Sequence, residues 1–234
     1  MRQFFTPLLL GHPLLKNFIA GRLDASYLSH CHDDIMQREV FRHIGDDLSV
    51  QGFSVQEGLL PTDLAHTLLN HIQSSNGPNY TPAAIGRAQS KQNDHTIRRD
   101  KTSWISADPS PADQAWLKWS EDLRAALNQD CLLGLQPIES HYARYDQGDF
   151  YLKHLDAFKS TNTLNRRVSL VCFLNPNWQP EDKGELVLYT GDSNATAITV
   201  APKLGTIAMF LSQDIPHEVL PTNTTRHSIA GWYR

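Results

Sequence analysis

Cysteine is scarce. Cys31, Cys131 and Cys172 are all that 234 residues contain, and no two of them stand in a C-x-x-C spacing. A disulfide framework and a thiolate zinc cluster are therefore not expected. Free thiols in a reducing, cytoplasmic compartment are. Long apolar runs are lacking too. The stretch 1–20 is apolar, but Gly11-His12-Pro13 interrupts it and no small-x-small cleavage site follows. It is too short to span a bilayer, so no membrane partner is expected. Residues 1–32 read as an N-terminal arm, either packed on the body or another subunit or simply frayed. Positive charge is not in excess: the formal net charge of -4 offers nucleic acid no electrostatic foothold as the main partner. No internal repeat or low-complexity tract appears, and the oligomeric state is not legible.

What is present is ordinary globular material, 40% hydrophobic and 20% charged. Apolar residues Ile35, Met36, Val40, Phe41, Ile44 and Leu48 recur at helical spacing and predict a helix over 33–52, ended by Gly52. A short strand at 53–55 follows. Leu60-Pro61-Thr62-Asp63 opens a second helix that runs to about Gln73. Residues 74–82 are turn-rich. The basic run from Arg87 to Lys101 reads as a solvated loop or as a flap near a site, feeding a strand at 103–105. Ser110-Pro111-Ala112-Asp113 is a strong helix start, and Gly134 is the expected stop.

After Pro137 the texture changes. Short β-type runs at 138–145, 150–155, 168–174, 185–189, 197–200, 206–211, 218–220 and 227–232 alternate with turn residues. Helices first and strands afterwards predict an α+β fold: a double-stranded β-helix (jelly-roll) core over 136–234, braced by N-terminal helical segments in 33–135, with 33–234 one folded unit.

His154 and Asp156 end one of these strands, where residues two apart share a face. A jelly roll lets a distant strand bring His217 alongside. Two imidazoles and one carboxylate with open positions suit a non-haem Fe(II) oxygenase; zinc with water is the chemical competitor. An H-x-D triplet alone says little in a chain with 11 histidines, and His32-Asp33-Asp34 is a decoy at a helix start, best read as a cap. The C-terminal strand adds weight. Arg226 can hold a co-substrate carboxylate through paired charge-assisted hydrogen bonds. Ser228 shares its strand face, and Tyr145, on the strand before His154, can add a phenol.

Residues 85–234 resemble the 2-oxoglutarate- and Fe(II)-dependent prolyl hydroxylases, in particular the HIF prolyl hydroxylases and their bacterial relatives. The resemblance rests on Arg144-Tyr145 with the segment Tyr151-Leu152-Lys153-His154-Leu155-Asp156, on Arg167-Val168-Ser169-Leu170-Val171-Cys172-Phe173-Leu174-Asn175 with Trp178, and on Gly184-Glu185-Leu186. Pro216-His217-Glu218-Val219, the run from Arg226 to Tyr233, and Ile97-Arg98-Arg99-Asp100-Lys101 with Trp104 complete it. It implies iron held by His154, Asp156 and His217, which are also the catalytic residues, and 2-oxoglutarate held by Arg226 and Tyr145. Dioxygen and ascorbate complete the implied cofactors. The partner it implies is a protein or peptide containing proline. Arg98, Asp100 and Arg166 fall in the substrate flap, with Asp100 expected to pair with Arg166.

The chain departs from the family in a shorter loop at 146–149, in Phe173 where some relatives carry a tyrosine, and in Ser228, which follows the broader oxygenase pattern. The expected reaction is oxidative decarboxylation of 2-oxoglutarate, releasing succinate and CO2, coupled to hydroxylation of a prolyl residue in a protein (peptidyl-proline 4-dioxygenase). Two alternatives stand beside it: the same chemistry on a free amino acid, small metabolite or nucleic acid, and a non-catalytic jelly-roll binding module. The complete set of His154, Asp156, His217 and Arg226 weighs against the last.

Overall fold

The computed structural model describes residues 25–83, 94–105, 108–157, 166–191 and 195–234, with side chains from residue 36 onward. Residues 1–24 of the N-terminal arm and the loop residues Arg87 and Lys91 lie outside that description, as do the side chains of Cys31 and of the decoy triplet.

Helix α1 spans Ala25–Val50. It begins earlier than the apolar spacing suggests, with no acidic residue in its first turn to mark the start, so the backbone of the decoy triplet lies inside the helix and not at its cap as expected. Phe41, Ile44 and Leu48 are buried as expected, whereas Met36 is exposed. Strand β1 (Phe53–Gln56) and helix α2 (Thr62–Gln73) follow. In α2, Ala65, Leu68 and Leu69 form the buried stripe. Strands β2 (Thr81–Pro82) and β3 (Lys101–Trp104) precede helix α3 (Pro111–Cys131).

Ser110 and Asp113 form a reciprocal capping box with Pro111 in the first turn, so the N-terminal donors of α3 are satisfied locally. At its other end Leu132, not Gly134, takes the first left-handed conformation, at φ 53. The stop there is made by side chains. Asn128 donates to and accepts from the Leu135 backbone, and Arg124 donates to the same carbonyl.

The eight expected C-terminal strands all form. They are β4 (Glu139–Tyr145), β5 (Tyr151–His154), β6 (Val168–Phe173), β7 (Leu186–Thr190), β8 (Thr196–Val200), β9 (Ile207–Leu211), β10 (His217–Val219) and β11 (Arg226–Tyr233). They build two antiparallel sheets. The larger has order β1-β9-β6-β11-β4-β3-β2, the smaller β5-β10-β7-β8.

Alternation along the strands sorts side chains between two cores. Tyr142, Leu170, Cys172, Ile207, Met209, Ile229 and Tyr233 face the helices and pack with Phe41, Ile44, Leu68, Trp116, Leu123 and Leu127. Their neighbours Ala143, Tyr145, Phe173, Ala208 and Phe210 face the smaller sheet and meet Leu186, Leu188, Ile215 and Val219. Buried hydrogen bonds lock α3 to the sheet: Trp116 Nε1 donates to Ser140 Oγ at 3.1 Å, the Tyr142 hydroxyl to Asp113 at 2.7 Å and the Tyr233 hydroxyl to the Ser120 carbonyl at 2.8 Å. The result is the α+β jelly roll with helices on the outer face of the larger sheet. Among the described residues no helix is long and apolar enough to cross a membrane.

Candidate active site

Strand pairing brings the distant histidine alongside. β10 lies between β5 and β7, and its register sets His217 opposite His154, with ring centroids 4.3 Å apart. Asp156, two residues past His154, completes the group. His154 Nε2 is 3.6 Å from one carboxylate oxygen and His217 Nε2 is 3.5 Å from the other. Each imidazole turns its remaining nitrogen to a backbone carbonyl. His154 Nδ1 is 2.7 Å from the Leu152 oxygen and His217 Nδ1 is 3.2 Å from that of Ile215. A carbonyl can only accept, so these bonds place the proton on Nδ1 and the lone pair on Nε2, facing Asp156.

Protonation states follow from burial and neighbours. Burial pushes the His217 pKa down to about 4 against the pull of Asp156. Burial alone would raise the Asp156 carboxyl, but His217, His154 and the Ser169 hydroxyl hold it well below the usual carboxylate range. A neutral imidazole and an ionised carboxylate are the forms that bind a metal. The ligand atoms of His154, Asp156 and His217 lie within 4.8 Å of one another, so the donor set fits a divalent ion.

Residues outside the expected set hold this group in place. Ser169 Oγ donates to Asp156 at 2.7 Å and lies 2.8 Å from Ser212 Oγ, tying the carboxylate to β6 and to the end of β9. Tyr151 stacks on His154 at 3.6 Å, and the Arg98 guanidinium lies 4.2 Å from the Tyr151 ring. Arg98 in turn donates to both oxygens of Asp100, at 2.7 and 2.6 Å. The expected pairing of Asp100 with Arg166 is thus corrected. Arg98 is two residues from Asp100 on the same extended segment and takes both of its oxygens. Arg166 instead donates to Glu139 at 3.0 Å and lies 3.5 Å over the Trp232 ring.

Across from the triad, β11 and β4 carry the second half of the site. Arg226 pairs in register with Tyr145. It is only 3% exposed, with Tyr145 and Phe173 rings 4.8 and 5.0 Å from its guanidinium. Its Nη1 donates to Ser228 Oγ at 3.2 Å, and its Nε has no hydrogen-bond partner. Among the described residues no carboxylate is paired with it, and burial pulls its pKa below the ordinary arginine value. Tyr145 is kept protonated, because burial pushes its phenol far above the ordinary tyrosine value.

A cavity of about 370 Å³ joins the two halves and is lined by His154, Asp156, His217, Arg226, Tyr145 and Ser228. Arg98, Asp100, Arg166, Val219 and Trp232 line it as well. Among the lining residues that the sequence reading gave no role, two bear on the chemistry, Ser169 and His141. Ser169 has no local signal. His141 had one: it lies four positions before Tyr145 on the same strand, hence on the same face.

These features agree with comparisons to known proteins. Residues 140–234 match the model of the 2OG-Fe(II) oxygenase superfamily. A prolyl-4-hydroxylase of Pseudomonas putida is 36% identical, with TM-score 0.73, over 83% of this chain and 98% of that one. A Trichoplax adhaerens prolyl hydroxylase, solved with a hypoxia inducible factor oxygen degradation domain peptide fragment, is 25% identical with TM-score 0.70, over 86% of this chain and 91% of that one. Human Egl nine homolog 1 is 28% identical over 62% of this chain, and the match spans 35% of that longer protein. The chain therefore belongs to the 2-oxoglutarate- and Fe(II)-dependent oxygenase superfamily, among its prolyl-hydroxylase-like members, with Fe(II) as its metal and 2-oxoglutarate and dioxygen as its co-substrates.

Proposed function

We propose that this protein hydroxylates a prolyl residue in a protein or peptide while converting 2-oxoglutarate to succinate and CO2, with residues 136–234 as the catalytic core and 33–135 as its support. The observation that carries the reading is the buried guanidinium of Arg226, left without a carboxylate among the described residues at one end of the cavity that holds the triad. An unpaired buried charge is costly, so the arrangement calls for an anion from outside. The far carboxylate of 2-oxoglutarate supplies it. Arg226 Nε, the Tyr145 hydroxyl and Ser228 Oγ receive that group, and Phe173, 5.0 Å from the guanidinium, sets an apolar ring beside it where a tyrosine would add a hydroxyl.

His154, Asp156 and His217 would hold the iron, which supplies dioxygen activation when bound. The chain's own residues do the rest. Nδ1 anchoring keeps the imidazoles oriented, and Ser169 fixes the Asp156 carboxylate. The cavity walls shield the reacting atoms from water. Arg98, stacked on Tyr151 and tied to Asp100, gives the flap segment a firm seat against the His154 side of the site. Prolyl specificity rests on the similarity to the Pseudomonas prolyl-4-hydroxylase and the Trichoplax prolyl hydroxylase. A cytoplasmic setting fits the free thiols of Cys131 and Cys172.

The test is incubation of the purified protein with Fe(II), 2-oxoglutarate, ascorbate and proline-containing peptides. Succinate should form in step with a mass gain of one oxygen atom on proline, and His154→Ala should abolish both. Succinate formed with free amino acids and not with peptides would move the reading to a small-molecule oxygenase. No succinate under any condition would overturn it.

A further inference from the structure

The cavity has two ends. At one, Arg226 and Tyr145 face each other across β11 and β4. Four residues back along β4, on the same face, stands His141. At a strand rise of about 3.3 Å per residue, that is about 13 Å from the Tyr145 position. A short dicarboxylate anchored at Arg226 does not extend that far, so His141 faces whatever the enzyme oxidises.

His141 is an unusual wall. It is 5% exposed, and the rings of Trp104 and Trp232 stand 4.9 and 5.4 Å away. Its Nδ1 lies 3.1 Å from the Tyr142 carbonyl, which can only accept, so the proton sits on Nδ1. Burial holds its pKa down to about 4, with Arg98 and Arg166 pushing the same way and Asp100 opposing. The ring is therefore neutral at physiological pH, and Nε2 carries a lone pair. The nearby charged groups are engaged elsewhere: Arg98 with Asp100, and Arg166 with Glu139. The indoles of Trp104 and Trp232 can only donate. His141 Nε2 is thus an available acceptor in the wall at this end of the cavity. Ala230, its small partner in register on β11, lines the cavity beside it.

Resting on the prolyl-hydroxylase reading, we propose that His141 Nε2 accepts a hydrogen bond from the backbone N–H of the residue that follows the target proline, making His141 a specificity-determining residue for peptide over free amino acid. Proline has no N–H of its own once its nitrogen is acylated, so the nearest backbone donor downstream is the next residue's. The flat faces of Trp104 and Trp232 suit the peptide plane on either side.

The experiment compares two peptides that differ only in the bond after proline, an amide in one and an ester in the other, with wild type, His141→Phe and His141→Gln. Integrity of each variant is checked by its thermal melt and by Fe(II) and 2-oxoglutarate binding. In wild type the ester should raise KM by roughly tenfold, the worth of one hydrogen bond, with kcat little changed. His141→Phe should raise KM for the amide by a similar factor and erase the difference between the peptides. His141→Gln, which keeps an acceptor, should restore part of that difference. A His141→Phe enzyme that still distinguishes amide from ester as wild type does would overturn the assignment while leaving prolyl hydroxylation intact. Failure of wild type to hydroxylate either peptide would instead remove the prolyl reading and this inference with it.

Discussion

Asp156 is where most of the site's electrostatics converge. It lies between two imidazoles whose other nitrogens are spoken for, and one hydroxyl, from Ser169, holds it in place. Ser169→Ala removes that hydroxyl without touching a metal ligand. It should weaken Fe(II) affinity by about 10–100-fold, the usual effect of losing an outer hydrogen bond to a ligand, and equilibrium metal titration measures it. Unchanged affinity would mean that the histidines alone position the carboxylate. At this scale the sequence was informative where chemistry and period coincide. His154 ends β5 with Asp156 two residues beyond it, and Arg226 and Ser228 share a face of β11. It was silent on Ser169, because a serine in a buried strand carries no pattern of its own. It misassigned the partner of Asp100, because an arginine two residues away in an extended segment outcompetes one brought by another strand.

Elements position these residues through their turns and registers. Gly184, at φ +76, opens β7 where a Cβ would come within 2.9 Å of the Thr222 Cβ and 3.1 Å of the Arg226 Cδ. Only glycine accepts both the backbone conformation and the crowding. Gly184→Ala should cost about 1–3 kcal/mol in denaturant unfolding and should weaken 2-oxoglutarate binding, because the Arg226 stem is displaced. A fully stable Gly184→Ala protein with normal co-substrate affinity would show that this packing does not set the arginine. The capping box of α3 and the eight C-terminal strands were legible because their signals are local: a Ser-Pro-x-Asp start, and alternation between turns. The start of α1 was not, since its first turn lacks an acidic residue, nor was β2, whose two residues are too few for any period and which forms only because β3 offers it an edge.

As a whole, the molecule buries histidines that its unfolded chain would protonate. Burial lowers both His141 and His227 to about 4, whereas an unfolded histidine titrates near 6.5. Between those values the unfolded chain binds more protons than the native one. Stability is therefore full above about pH 6.5 and falls as pH drops toward about 4, by on the order of a few kcal/mol in total. Urea midpoints of the metal-free protein at about pH 7.5 and about pH 5 check this, and His227→Gln should lessen the drop. Equal midpoints for wild type at both values would contradict the burial argument. The two-sheet architecture was legible as a whole because helices precede strands in the chain. The meeting of His217 with His154, by contrast, depends on β10 inserting between β5 and β7, which no local signal encodes. The central claim is that His154, Asp156 and His217 hold the iron while Arg226 holds its co-substrate. Anaerobic titration of 2-oxoglutarate into the Fe(II)-loaded protein, followed by the visible metal-to-ligand charge-transfer band, tests it most directly. The account predicts a saturable band in wild type, its loss in Asp156→Ala, and in Arg226→Gln the same band at a 2-oxoglutarate midpoint raised by roughly tenfold or more. A band that survives in Asp156→Ala, or an unmoved midpoint in Arg226→Gln, would contradict it.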